Sequence, residues 1–161
     1  MIKNVPTICG NEKVDAVRAA IEHRGTWMYL LLEEAEKKGL GEDYARAAIT
    51  RAGLCSKERK PHTNSLREYS EAVFNNDNEF NFEHVAEITE DEVNVTVHYC
   101  PLVAAWQKLT DDEEKIAKLC DIAMDGDRAV FSNPAFKYEV TDKIADGCAT
   151  CKMHITKAKE V

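Results

Sequence analysis

The chain has 161 residues, 31% of them charged and 44% hydrophobic, and its formal net charge is −8 at pH 7. This length and composition are typical of one soluble globular domain with enough residues to form a core without disulfides. The acidic balance argues against nucleic acid as a partner, because phosphate binding needs clustered lysine and arginine. With no apolar run long enough for a membrane span and no secretory signal, we expect no membrane partner and a cytoplasmic protein whose six cysteines are reduced.

Helical periodicity dominates the first half of the chain. Apolar residues recur at helical spacing over residues 12–38, and a second helix is predicted over 42–52, ending at a glycine. Residues 65–68 read Ser-Leu-Arg-Glu, a capping box that begins a short helix ending near Phe74. We therefore expect an N-terminal helical part over residues 12–75.

Alternating apolar residues, typical of half-buried strands, dominate the second half together with two further helices. The alternating segments are residues 80–88, 93–97, 136–140 and 151–155. Helical spacing returns after Pro101 and again from Thr110 to about Met124, before Gly126. The order helices, two strands, helices, two strands predicts an α+β fold, with an antiparallel sheet of about four strands packed with several helices. This α/β part covers 80–157, and we expect a single domain over 1–161.

Cys100 lies at the junction between a predicted strand and a predicted helix. Proline is favoured in the first turn of a helix, so Pro101 places Cys100 at the N-cap. There the unpaired backbone N–H groups and the helix dipole favour a thiolate. His98 lies on the polar side of its strand and is a candidate base, orienting partner or metal ligand. The alternative is a surface histidine beside a capping residue.

A charged block follows near the end of the helix predicted to precede Gly126. Asp121 and Asp125 share one helix face, where like charges disfavour the helix. Asp127 and Arg128 come after the glycine. A carboxylate here is a candidate to accept a substrate amide proton, and an arginine can hold a carboxylate with two hydrogen bonds. The alternative is a solvated helix end with a local ion pair.

The remaining cysteines are weaker candidates for a functional site than Cys100, although two of them suggest metal or redox chemistry. Cys148 and Cys151 form a C-x-x-C motif, but a closed zinc site needs four ligands and the chain has no second such motif. Cys151 shares the parity of the apolar residues in its strand, which predicts core packing, and we expect Cys9 and Cys55 to be small core residues. The sequence requires no cofactor, although a divalent metal such as zinc is an option. Its candidate ligands are His98, Cys100, Cys148, Cys151 and His154.

Two blocks together resemble the L-2-amino-thiazoline-4-carboxylic acid hydrolase family. They are HYCPLVAAW at 98–106 and CDIAMDGDR at 120–128, followed by Gly147 and Cys151. The resemblance covers mainly residues 98–155. It implies hydrolytic opening of a small heterocycle that bears a carboxylate: water adds to an amidine-like carbon and the carbon–sulfur bond breaks.

The leading hypothesis is a hydrolase of a non-peptide C–N or C–S bond in a small cyclic amidine or amide carrying a carboxylate. In it, Cys100 is the nucleophile and His98 moves the proton. Asp127 orients the substrate or a water, Arg128 binds the carboxylate and Asp121 is a second substrate-binding candidate. In a variant, Cys100 and His98 hold a metal that activates water.

Two non-hydrolytic alternatives remain open at this point. Small α+β domains with a cysteine in the terminal hairpin resemble the 4-vinyl reductase type, which would make this a sensory domain that binds a small molecule or a metal. The third alternative is a thiol or metal redox protein. In each case the expected partner is a small molecule, and the sequence does not predict an oligomeric state.

Overall fold

A computed structural model describes residues 1–74 and 79–158, and only the backbone of Glu79. Within these ranges the helices are α1 (Glu12–Lys37), α2 (Glu42–Lys57), α3 (Leu66–Val73), α4 (Glu79–Phe82), α5 (Pro101–Gln107) and α6 (Glu113–Val130). The strands are β1 (His84–Ile88), β2 (Glu92–Val97), β3 (Phe136–Asp142) and β4 (Cys151–Lys157), with a 3-10 turn at Ile144–Asp146. The predicted α+β class and the order of helices and strands are confirmed.

The four strands form one antiparallel sheet in the order β1-β2-β4-β3. Val93, Val95 and Val97 are buried, whereas Asn94 between them is exposed, so one face of β2 packs against the core. Cys151 is the register partner of Val97 and points to that same buried face. The predicted parity of Cys151 is therefore confirmed.

The first predicted strand is shorter than expected because residues 79–82 form a helical turn. Glu83 follows it with a φ of 49°, in the left-handed region that residues other than glycine rarely adopt. Its buried carboxylate accepts hydrogen bonds from Thr7 N (2.8 Å), Thr7 Oγ1 (2.6 Å) and Arg18 Nη2 (2.9 Å). These distant partners hold the unusual backbone in place, and a local pattern of alternation cannot reveal them.

Two glycines that were predicted to end helices lie inside them instead. α2 continues past Gly53 to Lys57, and α6 continues past Gly126 to Val130. A Cβ atom added to Gly53 would stand 2.3 Å from the carbonyl oxygen of Gly126 and 2.7 Å from the Cβ of Ala129. The absent side chain at Gly53 therefore lets two helix backbones meet, which is a tertiary reason that helix-stop rules do not include.

Side-chain capping marks the starts of α1, α3 and α6. The hydroxyl of Ser65 accepts from the N–H of Glu68, as the capping box predicts. For α6 the capping residue is Asp112, whose carboxylate accepts from Lys115 N at 3.0 Å, and not Thr110 two residues earlier. Asp caps a helix at least as well as Thr, so either position was chemically acceptable.

The core consists of two groups of buried side chains. One surrounds Trp106, whose ring N–H donates to the carbonyl oxygen of Gly25 at 3.0 Å and so ties α5 to α1. The other lies between α3 and the sheet and contains Tyr69 and Phe131. Cys151 packs against both groups, so the start of β4 lies at their junction.

Two of the cysteines, Cys9 and Cys55, lie at the surface of this fold. Cys9 and Cys55 are exposed, so the prediction that they are small core residues is wrong. Cys55 lies on the solvent side of α2, and Cys9 precedes α1 in the N-terminal segment. Among the helices of the described ranges, none is long and apolar enough to cross a membrane.

Candidate functional site

Cys100 occupies the N-cap of α5, as the sequence predicts. Its backbone is extended, with φ −126° and ψ 109°, and Pro101 is the first helical residue. The side chain of Asn4 holds this backbone from both sides: Nδ2 donates to the carbonyl oxygen of Cys100 at 2.8 Å, and Oδ1 accepts from its N–H at 2.9 Å. The proposed nucleophile is therefore anchored by the N-terminal segment of the chain.

Burial and the helix N-terminus act on the Cys100 thiol in opposite directions, and burial is stronger. Desolvation raises its pKa to about 12, while the backbone N–H groups of Val103 and Leu102 lower it only in part. The thiol makes no capping hydrogen bond. The expectation that the N-cap favours a thiolate is therefore wrong for the free protein, in which Cys100 is a protonated thiol at neutral pH.

Titratable side chains from three further elements act through their charges on the pKa of Cys100 or of one another. We call this group the interior cluster: Cys100, Cys120 and Asp127 of α6, Tyr138 of β3, and Cys151 of β4. Burial is the main cause of the raised pKa of Cys120, and the charges of Cys100 and Cys151 raise it further. The sulfur of Cys151 accepts a hydrogen bond from Ile144 N at 3.3 Å. Of these residues, Cys100 and Cys120 belong with the core group around Trp106, Tyr138 packs against the other group, and Cys151 packs against both.

Asp127 is exposed, yet the pKa of its carboxyl group is strongly shifted. Burial raises this pKa from 3.8 to about 6, against the attraction of Arg24 and Arg128. Its charge also raises the pKa of Cys100 and Tyr138. These observations fit a carboxyl group at the solvent-facing edge of the interior cluster, half-ionised near pH 6 and suited to move protons at neutral pH.

Arg128 and Asp121 belong to an ion network between α2 and α6. Arg128 binds Asp125 at 2.5 Å and Asp121 at 2.8 Å, and Arg46 binds the same two carboxylates at 2.9 and 2.8 Å. The hydrogen bonds from Arg128 and Arg46 lower the pKa of Asp121 to about 2. The two arginines thereby offset the repulsion expected between Asp121 and Asp125, and both terminal nitrogens of Arg128 already have carboxylate partners.

Arg24 is the second cation that acts on Asp127. It lies on α1 and is exposed, and within residues 1–74 and 79–158 it has no hydrogen bond or ion pair. The next residue, Gly25, has so little space that an added Cβ would lie 3.2 Å from side-chain atoms of Ala105 and Leu102. This close packing brings α1, and with it Arg24, against α5.

The remaining predicted site residues do not join the cluster. His98 is exposed, and no hydrogen bond among the described residues links it to Cys100. His154 faces the opposite side of the sheet from Cys151 and lies 3.3 Å from Glu92 Oε2. In the part of the chain that the structure describes, no three His, Cys, Asp or Glu side chains are arranged to hold a metal ion. No three of the candidate metal ligands are therefore arranged as a metal site in this part of the chain.

Residues 18–155 match the model of the family described as L-2-amino-thiazoline-4-carboxylic acid hydrolase. The chain belongs to this family. No curated protein matches it. Among solved structures, one that is similar is a trafficking protein particle complex subunit 3 from Naegleria fowleri, covalently bound to palmitic acid. It is 15% identical over 92% of this chain and 84% of its own, with a TM-score of 0.40, and this likeness is too distant to bear on the site.

Two residues that act on the interior cluster, Tyr138 and Arg24, are not among the candidates that the sequence suggests. Tyr138 was assigned to strand alternation alone, although a hydroxyl at an inward-facing strand position is itself a signal of a polar site. Arg24 carried no signal, because nothing local distinguishes it from other charged residues of α1. The two blocks that carry the resemblance did select Cys100 and Asp127, and the charge of Asp127 raises the pKa of the Cys100 thiol.

Proposed function

We propose that this protein hydrolyses a C–N or C–S bond in a small cyclic amidine or amide that carries a carboxylate. Membership of the L-2-amino-thiazoline-4-carboxylic acid hydrolase family supports the reaction class. The observation that carries the proposal is the Cys100 thiol at the N-cap of α5, where the charge of Asp127, with its pKa of about 6, acts on it. A base matched to neutral pH beside a nucleophile is what a two-step hydrolysis needs.

In the first step, the Cys100 sulfur attacks the electrophilic carbon while the Asp127 carboxylate accepts the S–H proton, directly or through one water. Because the thiol pKa is about 12, attack and proton transfer are coupled and no free thiolate accumulates. The ring C–N or C–S bond then breaks, and protonated Asp127 returns the proton to the leaving nitrogen or sulfur.

In the second step, water attacks the carbon bound to Cys100, and Asp127 accepts a proton from that water. The bond between the carbon and Cys100 breaks, and the proton returns to the thiol. Each proton taken by Asp127 is thus given back within one turnover. This scheme assigns no step to His98.

In this proposal Arg24, and not Arg128, binds the carboxylate of the substrate. The guanidinium of Arg128 already binds Asp121 and Asp125, so a substrate carboxylate would have to compete with two local anions. The charge of Arg24 acts on Asp127, and no carboxylate of the described residues forms an ion pair with Arg24. A planar guanidinium binds a carboxylate in a two-pronged arrangement.

The experiment incubates the purified protein with cyclic amidines and hydantoin-like compounds that carry a carboxylate, starting with 2-aminothiazoline-4-carboxylate. Mass spectrometry then detects products that have gained one water. Cys100→Ala is expected to lower turnover by at least about 1,000-fold, whereas Cys55→Ser, at an exposed cysteine of α2, retains it. Full activity of Cys100→Ala would exclude Cys100 as the nucleophile.

Two results would favour the alternatives. Ligand binding in a thermal-shift assay without any product supports a ligand-binding domain. A stoichiometric metal in protein purified without oxygen, lost together with activity in Cys100→Ala, supports metal-activated water.

A further inference from the structure

A cavity of about 550 Å³ opens between the end of α2, the loop that joins α2 to α3, and the connection between α6 and β3. We call it the α2–α3 cavity. Its volume lies within the range of about 300–1,000 Å³ that is typical of binding sites for small molecules. None of its lining residues belongs to the interior cluster, so the proposed hydrolysis does not use it.

Hydrogen bonds hold the walls of the α2–α3 cavity in place. Asn133 Nδ2 donates to the carbonyl oxygen of Thr63 at 3.1 Å and to Asn64 Oδ1 at 3.2 Å. The buried Tyr69 also lines the cavity, and its hydroxyl donates to the carbonyl oxygen of Val130 at 2.5 Å. The loop between α2 and α3 is therefore tied to the end of α6 and to the residues after it, and the cavity is formed before any ligand enters.

Positive charge without carboxylate partners is concentrated at this end of α2. Residues 51–60 contain four basic side chains and one acidic side chain, in a chain whose net charge is −8. The basic residues are Arg51, Lys57, Arg59 and Lys60. Within residues 1–74 and 79–158 none of the four forms an ion pair. An anion at the cavity therefore meets a positive local potential, although the protein as a whole is acidic.

Lys57 lines the cavity and has only a neutral partner among the described residues. It is half-buried, and its Nζ donates to Ser132 Oγ at 2.9 Å. An ammonium group has further N–H donors, and a half-buried charge that is compensated only by a hydroxyl gains from an anionic partner. The Ser132 hydroxyl itself donates to the carbonyl oxygen of Ala129 at 2.7 Å, so it keeps a partner whether or not Lys57 is present.

Two features of the cavity oppose an anion, and both are weak. The carbonyl oxygens of Leu54, Ser56 and Lys57, at the negative end of α2, each accept a hydrogen bond from a backbone N–H of residues 58–60. Glu58 lines the cavity with a carboxylate, but the residue is exposed, so solvent screens its charge more than that of the half-buried Lys57. The balance of charge at the cavity therefore favours an anion.

We propose that the α2–α3 cavity binds a small organic anion, separately from the reaction at Cys100. A carboxylate or phosphate group of the ligand accepts hydrogen bonds from Lys57, and an apolar ring lies against Leu54 and Pro61, which line the same cavity. The exposed imidazole of His62 lines it as well and offers a further donor to the anion.

The test follows the backbone amides of the full chain by NMR during titration with benzoate, phenyl phosphate or the neutral benzyl alcohol. The wild type is expected to bind at least one of the two anions saturably, with shifts at residues 54–64, and not to bind benzyl alcohol. Lys57→Met is expected to weaken that binding by about 10-fold or more. Lys13→Met, at an exposed lysine of α1 without an ion pair in the described ranges, is the matched control and should keep it. Both variants should unfold at the wild-type temperature.

A second variant tests the charge argument without touching Lys57. Glu58→Gln removes the opposing carboxylate, so it should tighten binding of the anion, and weaker binding would contradict the proposal. Binding of benzoate alone assigns the site to carboxylates, and binding of phenyl phosphate alone assigns it to phosphates. The inference is wrong if neither anion shifts these amides at millimolar concentration or if benzyl alcohol binds equally well. It is also wrong if Lys57→Met and Lys13→Met lose affinity equally, since the overall surface charge would then attract the anion. None of these outcomes depends on whether the protein is a hydrolase.

Discussion

The side-chain amide of Asn4 forms a matched pair of hydrogen bonds with the backbone of Cys100, at 2.8 and 2.9 Å. The two residues are 96 positions apart in the chain. The N-terminal segment is held in turn by Ile2, which is buried and whose carbonyl oxygen accepts from Gln107 at 3.1 Å. The conformation of the proposed nucleophile therefore depends on a segment that lies outside both diagnostic sequence blocks.

Asn4→Ala removes both hydrogen bonds and leaves the half-buried backbone N–H of Cys100 without a partner, whereas its carbonyl oxygen still accepts from Ala104 N at 3.0 Å. We expect a loss of stability of about 1–3 kcal/mol in urea unfolding, a lower kcat and faster alkylation of Cys100. Asn94→Ala, at an exposed position on the outer face of β2, is the control and should change none of these. Unchanged alkylation in Asn4→Ala would show that Asn4 does not hold the thiol in place.

The cysteines should react with a thiol reagent at clearly different rates. At pH 7 we expect Cys9 and Cys55 to react fast because they are exposed, whereas burial keeps Cys100 and Cys120 protonated and slow. Peptide mapping after timed labelling of the native protein measures this directly. Labelling of Cys100 at the rate of Cys55 would mean that the helix N-terminus does outweigh burial.

The raised pKa of Asp127 predicts that activity and stability change with pH in opposite directions. Activity should rise as pH increases through about 6, because the carboxylate is the base, and Asp127→Asn should abolish this rise. In the folded state the pKa is raised, so the stability associated with the protonated form is complete below 3.8 and lost as pH increases through about 6. Asp127→Asn should therefore be more stable than the wild type at pH 7.5 and equal at pH 3.5.

The control for this series is Asp111→Asn, at an exposed residue before α6. Its unfolding profile and its pH–rate profile should follow the wild type. A wild-type rate that does not change between pH 5 and 7.5 would remove Asp127 from the role of base.

The buried ion pair of Arg18 and Glu83 predicts a large effect on stability. Their side chains are only 7% and 5% exposed. Burial raises the pKa of Glu83, but hydrogen bonds from Ile8, Thr7 and Arg18 outweigh it, so the pKa is lowered overall. Glu83→Gln leaves Arg18 unpaired and should cost about 3–5 kcal/mol at pH 7.

The stability from Glu83 is present above pH 4.5 and is lost as pH falls through its lower folded-state pKa. Urea unfolding should therefore separate wild type and Glu83→Gln most at pH 7 and least in strong acid. The comparison variant is Glu90→Gln, in an exposed pair with Arg67, which should change stability by less than about 0.5 kcal/mol. Equal effects of the two variants would contradict the special role of the buried pair.

Gly53→Ala tests the close approach of α2 and α6. The added Cβ would meet the carbonyl oxygen of Gly126 at 2.3 Å, so the helices must separate, at a cost of about 1–3 kcal/mol or more. Gly41→Ser, at the uncapped N-cap of α2 with open space around it, should be neutral or stabilising. Thermal unfolding distinguishes them; a Gly53→Ala variant as stable as the wild type would contradict the backbone contact.

The sequence by itself determined the features that depend on neighbours in the chain. Pro101 placed Cys100 at an N-cap, the parity of β4 placed Cys151 on the buried face, and Ser65 began α3, all as observed. The α+β class and the family also followed from local periodicity and motifs. Caps, strand parity and helical spacing depend on residues a few positions apart, so they can be predicted from the sequence alone.

Only the tertiary structure decided the chemistry of the site. The thiol of Cys100 has a raised pKa because protein from distant elements surrounds it, and this outweighs the local helix N-terminus. Arg128 binds carboxylates that Arg46 of another helix also binds, and the charge of Asp127 raises the pKa of the buried Tyr138 hydroxyl. Desolvation and Coulomb interactions depend on distance in space, so residues far apart in the chain decide which groups ionise and which remain free to bind a ligand.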